Sequence, residues 1–182
     1  SEAEDILRSY NVPITEEMQP KSLAYMVDIH DQTQHLTGLN LDIYRLKNAI
    51  ELLQEDTEFN ALIHRDPKRS NLFGSHLIDL ETACRWHVGI DLAMLFMEYQ
   101  TPKEEWNEHL KTYLSIRGIS EDLQRKATEL EANVNDIAYY VAVKEITGSS
   151  ARQLTPTVIR QNRNLIAQIQ PVQERSVVYL AA

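Results

Sequence analysis

Cys84, His87 and Asp91 are the residues of this chain whose types and spacing come nearest to chemistry. On a helix, positions i, i+3 and i+7 project toward one neighbour. Imidazole and thiolate ligate transition metals, and a buried histidine can also hold a haem iron. His87 is therefore the candidate cofactor-binding residue, and Cys84, His87 and Asp91 are the candidate metal ligands. A complete site needs ligands from a second element, for which His30, His35, His76 and His109 are available. The competing expectation is structural: Cys84 fills core space, and His87 hydrogen-bonds Asp91 or a backbone carbonyl, as buried polar groups do.

Two other groupings carry ligand-type side chains. Asp28, His30, Asp31 and His35 point in several directions around one helix, and Glu105 and His109 stand four apart beside Trp106. A solvated helix face accounts for both. Signatures of established chemistries are missing from the sequence. No Asp or Glu precedes a His by three, so the di-iron bundle pattern is absent. There is no H-E-x-x-H, paired C-x-x-C, P-loop or G-x-G-x-x-G. The expectation is a chain without a cofactor, more a binding protein than an enzyme.

The elements that must position these residues read as helical. Residues 21–66 contain no proline, and Ile29, Leu36, Leu39, Ile43, Leu46, Ile50 and Leu53 follow an alternating three-and-four spacing broken only at Gln32. That is a heptad seam, and it predicts one long helix over about Lys21 to Glu55, with Gly38 as its weak point. Asp56 or Thr57 is expected to cap a short helical continuation through Ile63. After the loop Asp66 to Asn71, a helix is predicted from about Ser75 to Tyr99, the least polar and so the most central. Its face carries Leu77, Leu80, Cys84, His87, Asp91 and Met94, and Gly89 would let a neighbouring helix approach.

Thr101-Pro102-Lys103-Glu104 reads as a capping box opening a helix with Trp106, Leu110, Tyr113 and Leu114, which Gly118 closes. Ser120 opens the next, with Leu123, Ala127, Leu130, Val134, Ile137 and Val141 in heptad spacing, ending at Gly148. A short helix near Glu2 to Tyr10 and a last one from Pro156 to Pro171 complete the prediction, followed by an apolar tail through Tyr179. The fold class expected is all-α, an antiparallel helical bundle of five to six helices with one long heptad-patterned helix.

Charge divides the chain in two. The net charge is −9. From Ser149 onward there are four arginines (Arg152, Arg160, Arg163, Arg175), no lysine and only Glu174, a net +3 that leaves −12 on the first 148 residues. The expected organisation is an acidic helical bundle over 1–148 and a basic C-terminal helix and arm over 149–182, docked on the bundle or on a neighbouring subunit. An acidic body repels nucleic acid and anionic lipid, so nucleic acid is an unlikely partner and a membrane is not expected. The single cysteine excludes an intrachain disulfide, and with no basic-then-apolar leader at the start of the sequence a cytoplasmic setting is expected.

These features point to a non-catalytic helical interaction, scaffold or accessory subunit, with itself as a homodimer or another protein as partner. The alternative is a bundle binding a metal, haem or other cofactor around His87. The candidate interface residues are Leu39, Ile43, Leu46, Ile50, Trp106, Arg160, Arg163 and Tyr179, with Trp86, Tyr139 and Tyr140 as further aromatic contacts.

Overall fold

A computed structural model describes residues 19–37, 40–73 and 76–150, together with Asp5 and Arg8. The described residues form five α-helices, α1 (Leu23–Thr37), α2 (Ile43–Glu55), α3 (Gly89–Glu98), α4 (Trp106–Ile116) and α5 (Leu123–Ser150). Two short antiparallel strand pairs interrupt them. β1 (Asn60–Ile63) pairs with β4 (Cys84–His87), and β2 (Leu72–Phe73) pairs with β3 (His76–Leu77). The protein is thus mostly helical but not all-α.

The central element is α5, which packs against α1, α2, α3 and α4 in turn. Its sequence explains this. Ile137, Ala138, Tyr139, Tyr140, Val141, Ala142 and Val143 are consecutive and all buried, and a helix that is apolar all round must be enclosed. Centrality therefore belongs to α5 and not to the segment Ser75 to Tyr99. The adjacent tyrosines each hold the start of another helix. The Tyr139 hydroxyl accepts the Asp42 N–H (2.6 Å), and the Tyr140 hydroxyl accepts that of Lys21 (3.0 Å).

The long helix of the heptad reading is two helices. α1 stops at Thr37, and α2 starts afresh at Ile43 with Asp42 as its N-cap, whose carboxylate accepts the Arg45 N–H at 3.0 Å. Such a cap satisfies a donor that the first turn leaves free. Within α2, Leu46, Ala49, Ile50 and Leu53 are buried, the stripe of a helix lying on one neighbour. The seam does not extend back through Ile43, which is 48% exposed, and the buried face of α1 is marked by Met26 and His30, not by Ile29.

No helix continues through Ile63. Residues 60–63 are β1, and Ser75 to Val88 holds β3, a 3-10 turn and β4; helix resumes only at Gly89. The register puts Ala61 opposite Trp86 and Ile63 opposite Cys84, all four buried, whereas Arg85 faces out. A four-residue apolar run fits a helix face or a strand equally well by periodicity; pairing decides between them. The indole N–H of Trp86 donates to the Leu53 carbonyl at 3.0 Å, fixing β4 to the end of α2. Gly89 does permit a close approach: a Cβ there would lie 2.6 Å from Ile137 Cδ1 of α5.

The helix closed by Gly118 is α4. Gly118 has φ +75°, and the N–H groups of Gly118 and Ile119 return to the carbonyls of Ser115 and Leu114, the two bonds of a Schellman ending. The start of α4 differs from the expected capping box. A 3-10 turn, Lys103–Glu105, precedes it with no side-chain cap at either start. Thr101 is committed elsewhere, its N–H to the Phe96 carbonyl and its own carbonyl to the Trp106 indole. Residues 151–182, with their expected helix and tail, lie outside the described residues, as does the proposed N-terminal helix apart from Asp5 and Arg8, which are helical.

Candidate functional site

Cys84, His87 and Asp91 do not share a helix face. Cys84 and His87 belong to β4, and Asp91 lies in the first turn of α3. Each is committed to a separate structural task. The Cys84 thiol is fully buried opposite Ile63, and burial pushes its pKa up to about 11. A thiol held protonated at neutral pH is neither a good nucleophile nor a ready ligand.

His87 is completely buried where α2, β4, α3 and α5 meet. Its Nδ1 accepts the Gly89 N–H at 2.9 Å, and a backbone N–H can only donate. The neutral ring therefore carries its proton on Nε2, which faces Asp56 Oδ2 at 3.4 Å. Asp56, the C-cap of α2, also accepts the Asn133 amide at 2.8 Å and the Glu58 N–H at 3.0 Å. The edge of Phe59 closes the remaining side, with ring centroids 6.0 Å apart. Burial lowers the His87 pKa, and the Asp56 carboxylate opposes that shift. Both ring nitrogens are engaged, so the imidazole has no lone pair to offer a metal or a substrate proton.

Asp91 turns toward the end of β1. Its two carboxylate oxygens accept the N–H groups of His64 (2.6 Å) and Arg65 (2.8 Å). Burial raises its pKa, and these two donors pull it back. The bonds hold a backbone turn in which Arg65 has φ +72°. His64, also buried, resembles His87 in its bonding: Nδ1 accepts the Asp66 N–H (3.2 Å) and Nε2 donates to the Ile78 carbonyl (2.7 Å).

The other ligand-type groupings are local. His30 Nδ1 lies 3.2 Å from Asp31, and His109 lies 3.8 Å from Glu105 with both side chains exposed. Among the described residues no group of three His, Cys, Asp or Glu is placed to hold a metal ion. Neither does any described helix have the length and apolarity to cross a membrane.

A groove of about 580 Å³ lies between α2 and α5. Glu51, Glu55 and Asp56 line it from α2 and its cap, and Asp136 lines it from α5. Leu52 and Ala132 add apolar surface, and Asn48 and Asn133 add amides. Arg45 pairs with Asp136 at 3.2 Å and Lys47 with Glu51 at 3.3 Å. Glu55 and Asp56 have no lysine or arginine partner among the described residues. Sequence reasoning missed this groove because its walls are brought together by the antiparallel packing of helices some eighty residues apart.

The candidate interface residues separate likewise. Leu46 and Ile50 are buried in the packing of α2, and Trp106 is buried with its ring stacked 4.8 Å from Phe96. Trp86, Tyr139 and Tyr140 are core residues as well. Ile43 is half-exposed beside Tyr44, which is 84% exposed. Leu39, Arg160, Arg163 and Tyr179 lie outside the described residues. No protein-family model, curated protein or solved structure matches the chain.

Proposed function

We propose that this protein is a non-catalytic helical interaction or accessory subunit, cytoplasmic, that acts by binding a second copy of itself or another protein. One observation carries the reading. His64, His87, Cys84 and Asp91, the buried groups best suited to chemistry, are consumed by bonds or burial within the fold. Surface features are left to do the work: the carboxylate-lined groove, the Ile43–Tyr44 pair at the start of α2, and Ile116, 81% exposed at the end of α4.

A cofactor bundle around His87 is not favoured, because a ligand would first have to break the bond from Gly89 or from Asp56. The native mass of the purified protein, set against its denatured mass, tests the proposal. The expected result is a dimer, or a stoichiometric complex with another polypeptide, with no excess mass. A protomer carrying extra mass that disappears in His87→Ala would overturn it.

A further inference from the structure

Among the described residues, one buried side-chain oxygen or nitrogen lacks a hydrogen-bond partner, Asn60 Oδ1. Buried polar atoms are rarely left so, and each exception asks for a physical reason. Its position supplies one, because Asn60 stands directly opposite His87 across β1 and β4. The Val88 N–H donates to the Phe59 carbonyl at 3.0 Å, which makes Asn60 and His87 the adjacent pair without mutual backbone bonds. In such a pair the Cα atoms approach to about 4.5 Å, and the two side chains lie close together on one face of the ladder. An unused acceptor thus sits beside a buried imidazole. We propose that His87 and Asn60 form a proton-operated switch, which caps α3 while the ring is neutral and uncaps it in acid, Asn60 Oδ1 accepting the new Nδ1–H.

The described structure is the neutral state. α3 begins at Gly89 with no side-chain cap from Val88, and His87 Nδ1 takes the Gly89 N–H in its stead at 2.9 Å. Glycine admits the ring so near, since a Cβ at residue 89 would lie 2.8 Å from that nitrogen. A proton from solvent adds to Nδ1, the nitrogen with the lone pair, while Nε2–H stays on Asp56. Nδ1–H then meets the Gly89 N–H donor to donor. The first turn of α3 loses an acceptor and gains a positive charge at its positive end. Asn60 Oδ1 has no bond to give up in taking the proton.

Asp56, at the end of α2, is the charged group that faces the ring. The others on the packed elements are engaged elsewhere or face solvent. Glu58 pairs with Lys126 of α5 at 2.9 Å, and Asp136 of α5 with Arg45 at 3.2 Å. Asp91 of α3 holds the N–H groups of His64 and Arg65, and Glu55 and Arg85 are exposed. Burial lowers the His87 pKa and Asp56 opposes the shift, so the switch works below about pH 6.5. The inference goes beyond the subunit reading and does not rest on it, because the ring titrates with or without a partner.

The experiment follows the imidazole nitrogens of His87 and the amide of Gly89 by NMR in the 15N-labelled full chain, from about pH 8 to about pH 4. The expected ring starts as the Nε2–H tautomer and gains one proton at Nδ1 in acid, and Gly89 loses exchange protection in the same step. Asn60→Leu keeps the side-chain volume, and its stability at neutral pH should be unchanged because the lost oxygen bonds nothing. The proton affinity of His87 should fall by about tenfold in that variant, the worth of one hydrogen bond to a charged group. A Gly89 amide that stays protected through the ring's titration would overturn the proposal. So would equal proton affinity of His87 in the two proteins, or a loss of neutral-pH stability in Asn60→Leu. Unfolding of the whole chain before the ring takes its proton would overturn it as well.

Discussion

β1 runs directly into His64 and β4 ends on His87, and the two imidazoles make the same local bond. In each, Nδ1 accepts the N–H two residues ahead, from Asp66 or from Gly89, and Nε2–H turns to a distant acceptor. The difference lies in how the chain leaves the strand. After β1 the cost is in the backbone: Arg65 takes a left-handed conformation, φ +72°, which costs a non-glycine residue roughly 1–2 kcal/mol. Asp91 offsets it by accepting two N–H groups. At Val88 and Gly89, where the chain leaves β4, neither residue has positive φ, and the constraint is steric, a glycine against Ile137. The acceptors differ too, a neutral carbonyl for His64 and a carboxylate opening on the groove for His87. The same capping device is therefore held by charge at one strand end and by close packing beside a carboxylate at the other.

Removing the charge from the first end should give the largest effect. Asp91→Ala leaves the His64 and Arg65 N–H groups without a partner in a buried turn, at a cost on the order of 3 kcal/mol. Urea unfolding measures it. Asp91→Asn, which keeps one acceptor oxygen, should lose less. Negligible losses in both variants would mean that the turn does not depend on the carboxylate, and the contrast with the His87 end would disappear.

The second end should reveal itself through pH. Burial lowers the His87 pKa, so between its folded value and the unfolded value near 6.5 the unfolded chain binds more protons than the folded one. The stability contributed by neutral His87 is complete above about pH 6.5 and is lost as pH falls below it, at up to about 1.4 kcal/mol per unit for a single proton. Protonated Nδ1 would also face the Gly89 N–H, donor against donor. Stability curves of wild type and His87→Gln should therefore diverge least in acid and most above pH 6.5. Parallel curves would show that the ring titrates alike in both states, contrary to its burial.

The same two strand ends show what a reader of the sequence can and cannot see. α5 was legible because its apolar positions persist over many turns, and the end of α4 because Gly118 is the residue that a left-handed closure favours. Cys84 to His87 was not legible, because four residues fit both a helical face and a strand; only β1, more than twenty residues earlier, decides. Gly89 was read correctly as a place of close approach, within the wrong element. Asp56 and Asn133 gave no signal, since Asn133 falls outside the apolar register of α5 and their meeting with His87 is purely tertiary. Asp42 is a local cap that the heptad pattern concealed: the spacing carries straight through a break that the N-cap marks.

The smallest effect should be the one with opposite sign. Arg65→Gly releases the left-handed penalty while retaining the N–H that Asp91 accepts. Glycine also adds freedom to the unfolded chain, which returns roughly 0.5–1 kcal/mol of the gain. A net stabilisation of about 0.5 kcal/mol is expected, seen as a higher urea midpoint at unchanged slope. A loss of stability would mean that the half-buried Arg65 side chain contributes more by packing than its backbone costs. The first strand end would then be held by its side chains as well as by Asp91, and would resemble the second more closely than its dihedral angles suggest.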